Sequence, residues 1–277
     1  MKYLITILAC LALLTSCLTE EEKRLQTDQK FEGEEIFNLS YSIGEHLPYA
    51  FQPFTFYQDT ANSANIPGCP MVVVNDAAME VVLTFGQEDC SSNRALRNGK
   101  LILRYFSDTI QATDSTLHLS QKVGVSYDDY WVRGVKIEGR RLLTQVDTLS
   151  ADYALLDSLS DLMILDANRS SSKFNGVMLH QAVVENDSLL RFTTTGAGTG
   201  RNLAGRSFTM EVNEPKRFTA SCFQAGFQVP ESGQETWVIE RTASPDVIHK
   251  VIYVKAEDCN HTAQFQLYDG NELLKKQ

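Results

Sequence analysis

The stretch "ADYALLDSLSDLMILDAN" (residues 151–168) can be folded in two ways, and the choice sets the class of the whole chain. Leu155, Leu156, Leu159, Leu162 and Met163 fall at helical spacing, as one apolar stripe of a 3.6-residue period. The same letters also form two strands joined near Ser160-Asp161. The neighbours favour strands. "MVVV" (71–74), "MEVVLTF" (79–85) and "KLILRYF" (100–106) are rich in β-branched and aromatic residues and are bounded by turn formers. "TLHLS" (116–120) and "VRGVKIEG" (132–139) alternate apolar with polar residues, as half-buried strands do. "SLLRFTTT" (188–195), "RSFTMEV" (206–212), "ETWVIER" (235–241), "VIHKVIYVK" (247–255) and "TAQFQLYD" (262–269) continue the series. Turn signals at such short intervals predict an all-β domain, either an antiparallel sandwich or an extended curved antiparallel sheet. The letters "EDC" recur at 88–90 and 257–259, which allows two related β units with a sub-boundary near 145–185.

The first 35 residues follow different rules. Lys2, the apolar run Tyr3 to Leu14 and then small residues are the parts of a secretory signal. The run is shorter than the roughly 20 apolar residues a membrane-crossing helix needs. Leu14-Thr15-Ser16-Cys17 looks like a lipobox, in which the thiol of Cys17 takes a diacylglycerol and becomes the mature N-terminus. Residues 1–16 are therefore read as a lipoprotein signal peptide and Cys17 as the lipidation site. Ten of the eighteen residues from Leu18 to Glu35 are charged, which predicts a solvated acidic tether over 17–35 and a β-rich exported domain over 36–277. Glu20, Glu21 and Glu22, just beyond the anchor, resemble the acidic signal by which Bacteroidota send lipoproteins to the cell surface. The expected address is the outer membrane, lipid-anchored and facing outward.

The 25 Lys and Arg against 35 Asp and Glu give a net charge of −10, and removal of Lys2 makes the mature chain more acidic. Nucleic acid is disfavoured as a partner, because phosphate binding rests on clustered basic residues. Outside the signal and Cys17, four cysteines remain: Cys69, Cys90, Cys222 and Cys259. An even number in an exported chain points to disulfides, with three connectivities open. Cys69–Cys90 and Cys222–Cys259 are the expected pairs, since each brackets two strand-like runs with a turn between them.

The residues Cys69-Pro70, Leu83-Thr84-Phe85-Gly86, Cys90, Arg97-Asn98-Gly99-Lys100 and "YDDYWVRGVKIEG" (127–139) together make a longer pattern. It resembles an uncharacterised lipoprotein family of Bacteroidota that carries C-P…D-F-G…C…R-x-G-K…N-Y-x-V-N-G…V-E-G. The likeness continues through Gly200-Arg201-Asn202, Gly205, Phe208 and Cys222 to Cys259, most of the mature chain. Thr84 stands where the family prefers Asp, Asp129 and Arg133 stand where it prefers Asn, and "AEDC" (256–259) lacks its glycines. The resemblance implies the fold and the address and supplies no activity.

Chemical motifs are sparse. "GAGTGR" (196–201) lacks the following helix of a phosphate loop and reads as a glycine-rich turn. Ser170 and Lys173 meet S-x-x-K without its companion motifs. Asp128 and Asp129 are adjacent, cannot share one substrate oxygen on a strand, and read as a hairpin turn. The five histidines show no metal-ligand spacing. No catalytic residue, metal site or cofactor is expected. Trp131 and Trp237 read as core residues before sugar platforms. Asp followed by Ser or Thr and then a third residue typical of the Bacteroidota O-glycosylation sequon occurs six times, giving candidates Thr60, Thr109, Ser115, Thr148, Ser158 and Ser188. Asx-type turn preference enriches the same letters. The expected function is a non-catalytic, lipid-anchored envelope module that binds a glycan or an envelope protein or serves as structure. The alternative is an exported glycan-active hydrolase whose paired carboxylates are brought together only by folding.

Overall fold

The computed structural model describes residues 18–86, 90, 95–110, 118–146, 153–166, 170–185, 188–242, 245–268 and 272–276. Strands β1 (Met71–Asn75), β2 (Glu80–Phe85), β3 (Asn98–Ile110) and β4 (His118–Val132) come first. Next are β5 (Val135–Val146), β6 (Tyr153–Leu165), β7 (Ser171–Glu185), β8 (Ser188–Arg201) and β9 (Ser207–Thr219). The last four are β10 (Ser232–Ile239), β11 (Val247–Val254), β12 (Thr262–Gln266) and β13 (Glu272–Lys276). Each strand pairs antiparallel with the next in sequence, so all thirteen form one extended sheet that does not close. Of the two expected all-β forms this is the extended sheet, and its pairing runs from β5 through β7 across residues 145–185.

The opening stretch is one strand, not two. β6 pairs with β5 on one side and β7 on the other. Leu155, Asp157, Leu159, Leu162 and Ile164 face inward and are buried, while Leu156 and Ser158 face outward and are exposed. Alternation by two is broken once, at Asp161, where φ is 52° and the register with β7 shifts between Leu159 and Leu162. A bulge of this kind adds one residue to one strand. The leucines therefore step by four and then three, which imitates a helix. The polar member of the inward set, Asp157, hides the alternation further.

Helix α1 (Leu18–Gly44) corrects the expected tether. The boundary placed at residue 36 falls inside this helix, and Gln29 and Glu32 are already buried. From Leu39 to Ala50, through the short helix α2 (Leu47–Ala50), every residue is buried. A helix apolar on one face only would leave a wet side; this one is enclosed because the sheet curves around it. Glu34 meets Lys275 of β13, Phe37 meets Phe265 of β12, Ser40 meets Glu235 of β10, and the carbonyl of Ser42 meets Arg141 of β5. Composition alone read the segment as solvated; for Glu32 and Glu34 the partners that change this, Arg206, Arg241 and Lys275, lie far along the chain.

"GAGTGR" is also strand, not turn: it ends β8. Side chains placed at Gly198 and Gly200 would point inward, within 2.2 Å of Phe174 Cζ and 2.5 Å of Phe208 Cζ. Those two rings lie stacked over the glycine row, 6.3 Å apart. Glycine is required here by close approach. Asp128 and Asp129 likewise sit within β4 at a bulge, where Asp128 pairs with Lys100 at 2.8 Å and Asp129 with Lys136 at 3.2 Å.

Both expected cysteine pairs stand at bonding distance, Cys69–Cys90 and Cys222–Cys259. The first brackets the β1–β2 hairpin and the second the β10–β11 hairpin.

Gly198→Val is expected to lower stability by about 2–3 kcal/mol, the scale of an overpacked core. Urea unfolding followed by circular dichroism measures it, and an unchanged midpoint would contradict the ring-over-glycine packing.

Candidate functional site

The chemistry-bearing side chains converge between α1 and the concave face of the sheet, in four polar knots. The largest is centred on Asp157. Its carboxylate pairs with the guanidinium of Arg141 and lies 3.2 Å from His180 Nε2 and 3.6 Å from His46 Nε2. His180 Nδ1 is 2.8 Å from the Thr194 hydroxyl. Arg141 also donates to the carbonyls of Ser42 and Ile43, at 3.3 Å and 2.8 Å. Carbonyls of a last helical turn have no intrahelical partner, and here a buried arginine satisfies two of them. In the second knot Glu45 accepts from Arg97 Nε at 2.5 Å and from the Tyr130 hydroxyl at 2.6 Å. In the third, Lys216 pairs with Glu235 at 2.5 Å, and Glu235 also accepts from Ser40 and from Trp237 Nε1. In the fourth, Glu32 gathers Arg206, Arg241 and His249.

Burial and pairing set the titration of these groups. Burial drives the His46 imidazole down to about 3, with the neighbouring Arg141 charge adding to the effect. His180 is lowered for the same first reason, against the pull of Asp157. Burial by itself would raise Asp157, but Arg141 and the two histidines hold it well below the usual carboxylate range. Glu35 is the exception: burial raises it, despite its hydrogen bond from Ser172.

Histidine, aspartate and a hydroxyl in line have the parts of a proton relay. Their surroundings give them a different role. The side chains of His46, Arg141, Asp157 and His180 have zero exposure, and the carboxylate is committed to the guanidinium. A cavity of about 10 Å³, the scale of one water molecule, lies instead beside the third knot, between Ser40, Lys216 and Tyr253. The arrangement seats the end of α1 in the sheet.

The convex face is open. Two grooves of about 800 and 850 Å³ cross it and meet at Ser158 and Ser160. Residues along one are hydroxyl-bearing and small, including Thr199 and Thr209, with Glu211 as its carboxylate. The other is bordered by Phe106, Leu142, Arg104 and Arg140, and its carboxylate Glu80 is tied to Arg104 at 2.9 Å. Phe106 and Leu142 are each about two-fifths exposed. Each groove thus shows a single carboxylate among the described residues, whereas glycoside hydrolysis uses a facing pair.

The residues singled out from the sequence do not gather. Cys17, Ser115 and Thr148 lie outside the described residues, and Glu20, Glu21 and Glu22 lie on the backbone of α1. Thr60 is exposed beside Asp59, whose carboxylate accepts from the Ala61 amide in a local turn. Ser158 is exposed in mid-strand on β6, but the Asp157 of its sequon points into the core. Thr109 and Ser188 lie on β3 and β8, so with Ser158 three of the six candidates sit on strands. Trp237 is fully buried and Trp131 is half-buried, with its indole N–H on Asp129. The Asp157 knot was not visible beforehand. Its only sequence signal is a charged residue at an inward position of β6, and that position became legible once the bulge was known.

The fold and site define an open antiparallel sheet wrapped on a buried helix, with its ionic groups sealed inside. No protein-family model matches the chain, and neither a curated protein nor a solved structure does.

Asp157→Asn is expected to cost about 3–5 kcal/mol in urea unfolding, because it leaves the buried Arg141 charge unpaired; a loss below about 1 kcal/mol would refute the pairing. A second expectation concerns pH. His46 and His180 bind protons more weakly folded than unfolded, so the unfolded chain takes up protons first as pH falls. Stability should decline below the unfolded histidine value of about 6.5 and fall again below about 4 as Asp157 loses its advantage, with Glu35 opposing in part. Unfolding midpoints from pH 8 to 3 measure this, and a flat profile would contradict it.

Proposed function

We propose that this chain is a lipid-anchored envelope lipoprotein whose domain is a non-catalytic binding or structural module. The observation that carries the reading is the division between its two sheet faces. The acid–base groups are enclosed and mutually paired on the concave side, while the convex side offers long open grooves with hydroxyl, aliphatic and guanidinium groups. Such a face can hold a ligand, and among the described residues each groove presents a single carboxylate to it. The lipobox at Cys17 supports attachment to the membrane through acyl chains. The glutamates Glu20 to Glu22 support display outside the outer membrane, and Thr60 is the best-presented glycosylation candidate among the described side chains. Kinship with the uncharacterised Bacteroidota lipoproteins belongs to the same proposal, resting on the cysteine, R-x-G-K and V-E-G positions.

The domain should be prepared as residues 18–277, because α1 is part of the core from Gln29 onward. Glycan arrays and pull-downs from envelope extracts with this domain should yield a retained ligand that Ser158→Trp, which obstructs the point where the two grooves meet, holds less tightly. Turnover of a glycan by the domain would replace the reading with the hydrolase. In cells, Cys17→Ala should leave an uncleaved or mislocalised precursor, and normal membrane partitioning of that variant would sink the anchor. Protease shaving of intact cells should weaken when Glu20, Glu21 and Glu22 are changed to Ala. Intact mass should exceed that of the bare lipidated chain if sequons carry sugar.

A further inference from the structure

An open sheet has two edges, and this one treats them differently. β13 carries Glu272, Lys275 and Lys276, and Lys275 is pinned to Glu34 of α1 at 3.0 Å. Charged residues, above all lysine, are a usual means of keeping an edge from pairing with other chains. β1 has none of these guards. Its five residues, Met71 to Asn75, include no charge and no proline, and they pair with β2 without a bulge. Met71 and Val73 are half exposed on the outer side. In an antiparallel pair alternate residues turn their N–H and C=O away from the partner strand, so β1 presents backbone donors and acceptors along its outer edge that pair with no strand among the described residues.

Beside that edge lies a cleft of about 430 Å³. It runs between β1 and the segment formed by helix α3 (Phe54–Gln58) and the 3-10 turn Thr60–Asn65. Tyr57, Gln58 and Thr60 form one wall, Val72 and Val74 the other, and Asp76 closes an end. The walls are held in place by fixed contacts, one of which joins them at the Asp76 end. The Tyr57 hydroxyl donates to the Tyr49 carbonyl at 2.8 Å, Gln58 donates to Asp76 at 2.7 Å, and the Cys69–Cys90 bridge anchors the chain just before β1. An edge strand facing a helix across a preformed cleft is the geometry of strand addition, in which main-chain bonds give affinity and side-chain space gives selectivity.

We propose that the β1 edge captures an extended segment of another protein, which adds to the sheet as a further strand between β1 and α3. The segment is apolar at the position facing Val72, Val74 and Tyr57, and basic at the end that meets Asp76. The charge argument is local and global at once: the charged side chain in the cleft wall is acidic, and the chain carries a net charge of −10. This site is separate from the convex grooves, and it stands or falls independently of what those grooves bind.

The probe is a fluorescein-labelled peptide, Lys-Val-Thr-Val-Thr-Val-Lys, titrated against residues 18–277 and followed by anisotropy and by hydrogen exchange of the β1 amides. Saturable binding with slowed exchange at residues 71–75 is expected. The counterpart with Glu at both ends should bind about tenfold more weakly, and N-methylation at alternate residues should abolish binding by removing the edge hydrogen bonds. Val74→Trp, which narrows the cleft, should weaken binding by a similar factor. Asp76→Lys, at an exposed position that leaves the core intact, should invert the preference between the two peptides. Absence of binding by the Lys peptide, binding without protection at 71–75, or an unchanged preference in Asp76→Lys would each overturn the proposal. So would a dimer in sedimentation that Val73→Lys converts to monomer, since the edge would then be occupied by a second copy.

Discussion

The structure depends on the enclosure of a helix that is not apolar. α1 carries Glu32, Ser40 and Ser42 into the interior, and Glu45 and His46 follow directly. Buried charge is tolerable only where it is paired and hydrogen-bonded, so the concave face had to supply Arg97, Arg141, Lys216, Arg206 and Arg241 at matching positions. Arg141 has the largest share. It neutralises Asp157, takes up two carbonyls at the end of α1 and stands beside two histidines. Replacing such knots with apolar groups of equal volume is often neutral for stability. Their effect here is to fix one seating of the helix, because a shift along its axis would strand several charges together.

That constraint also explains the sheet. A thirteen-strand meander has only neighbouring pairings to specify and no crossover, so each hairpin can form from local sequence. Its curvature comes from bulges and glycines. Asp129 and Asp161 take left-handed backbone at the bulges of β4 and β6, and the glycine row of β8 lets Phe174 and Phe208 lie flat across the inner face. The disulfides tie a hairpin near each end of the sheet, where fewer neighbours share the load.

In the proposed reading, binding is moved outward. Among the described residues, the convex grooves and the β1 edge are open surfaces on which the proposed binding would take place. The two differ in kind: the grooves present side chains, whereas the edge presents backbone.

Most strands were legible in the sequence, because β-branched and aromatic runs between turn formers report a local preference that tertiary contacts reinforced. The pairings Cys69–Cys90 and Cys222–Cys259 were legible for the same reason, since each closes one hairpin. "GAGTGR" and Asp128-Asp129 misled, because glycine and aspartate signal turns unless close packing or a bulge demands them within a strand. The helical look of residues 151–168 came from a bulge that only pairing with β7 reveals. The sequence by itself determined strand identity, acidity and hairpin bridges, all of which depend on neighbours within a few tens of residues. Only the tertiary structure decided that Gln29 and Glu32, before residue 36, are buried, and that Asp157 meets His46, Arg141 and His180. Glu32 and Ser40 are buried by partners more than a hundred residues away, and Asp157 meets Arg141 and His180 only because β5, β6 and β7 lie side by side, which no local pattern encodes.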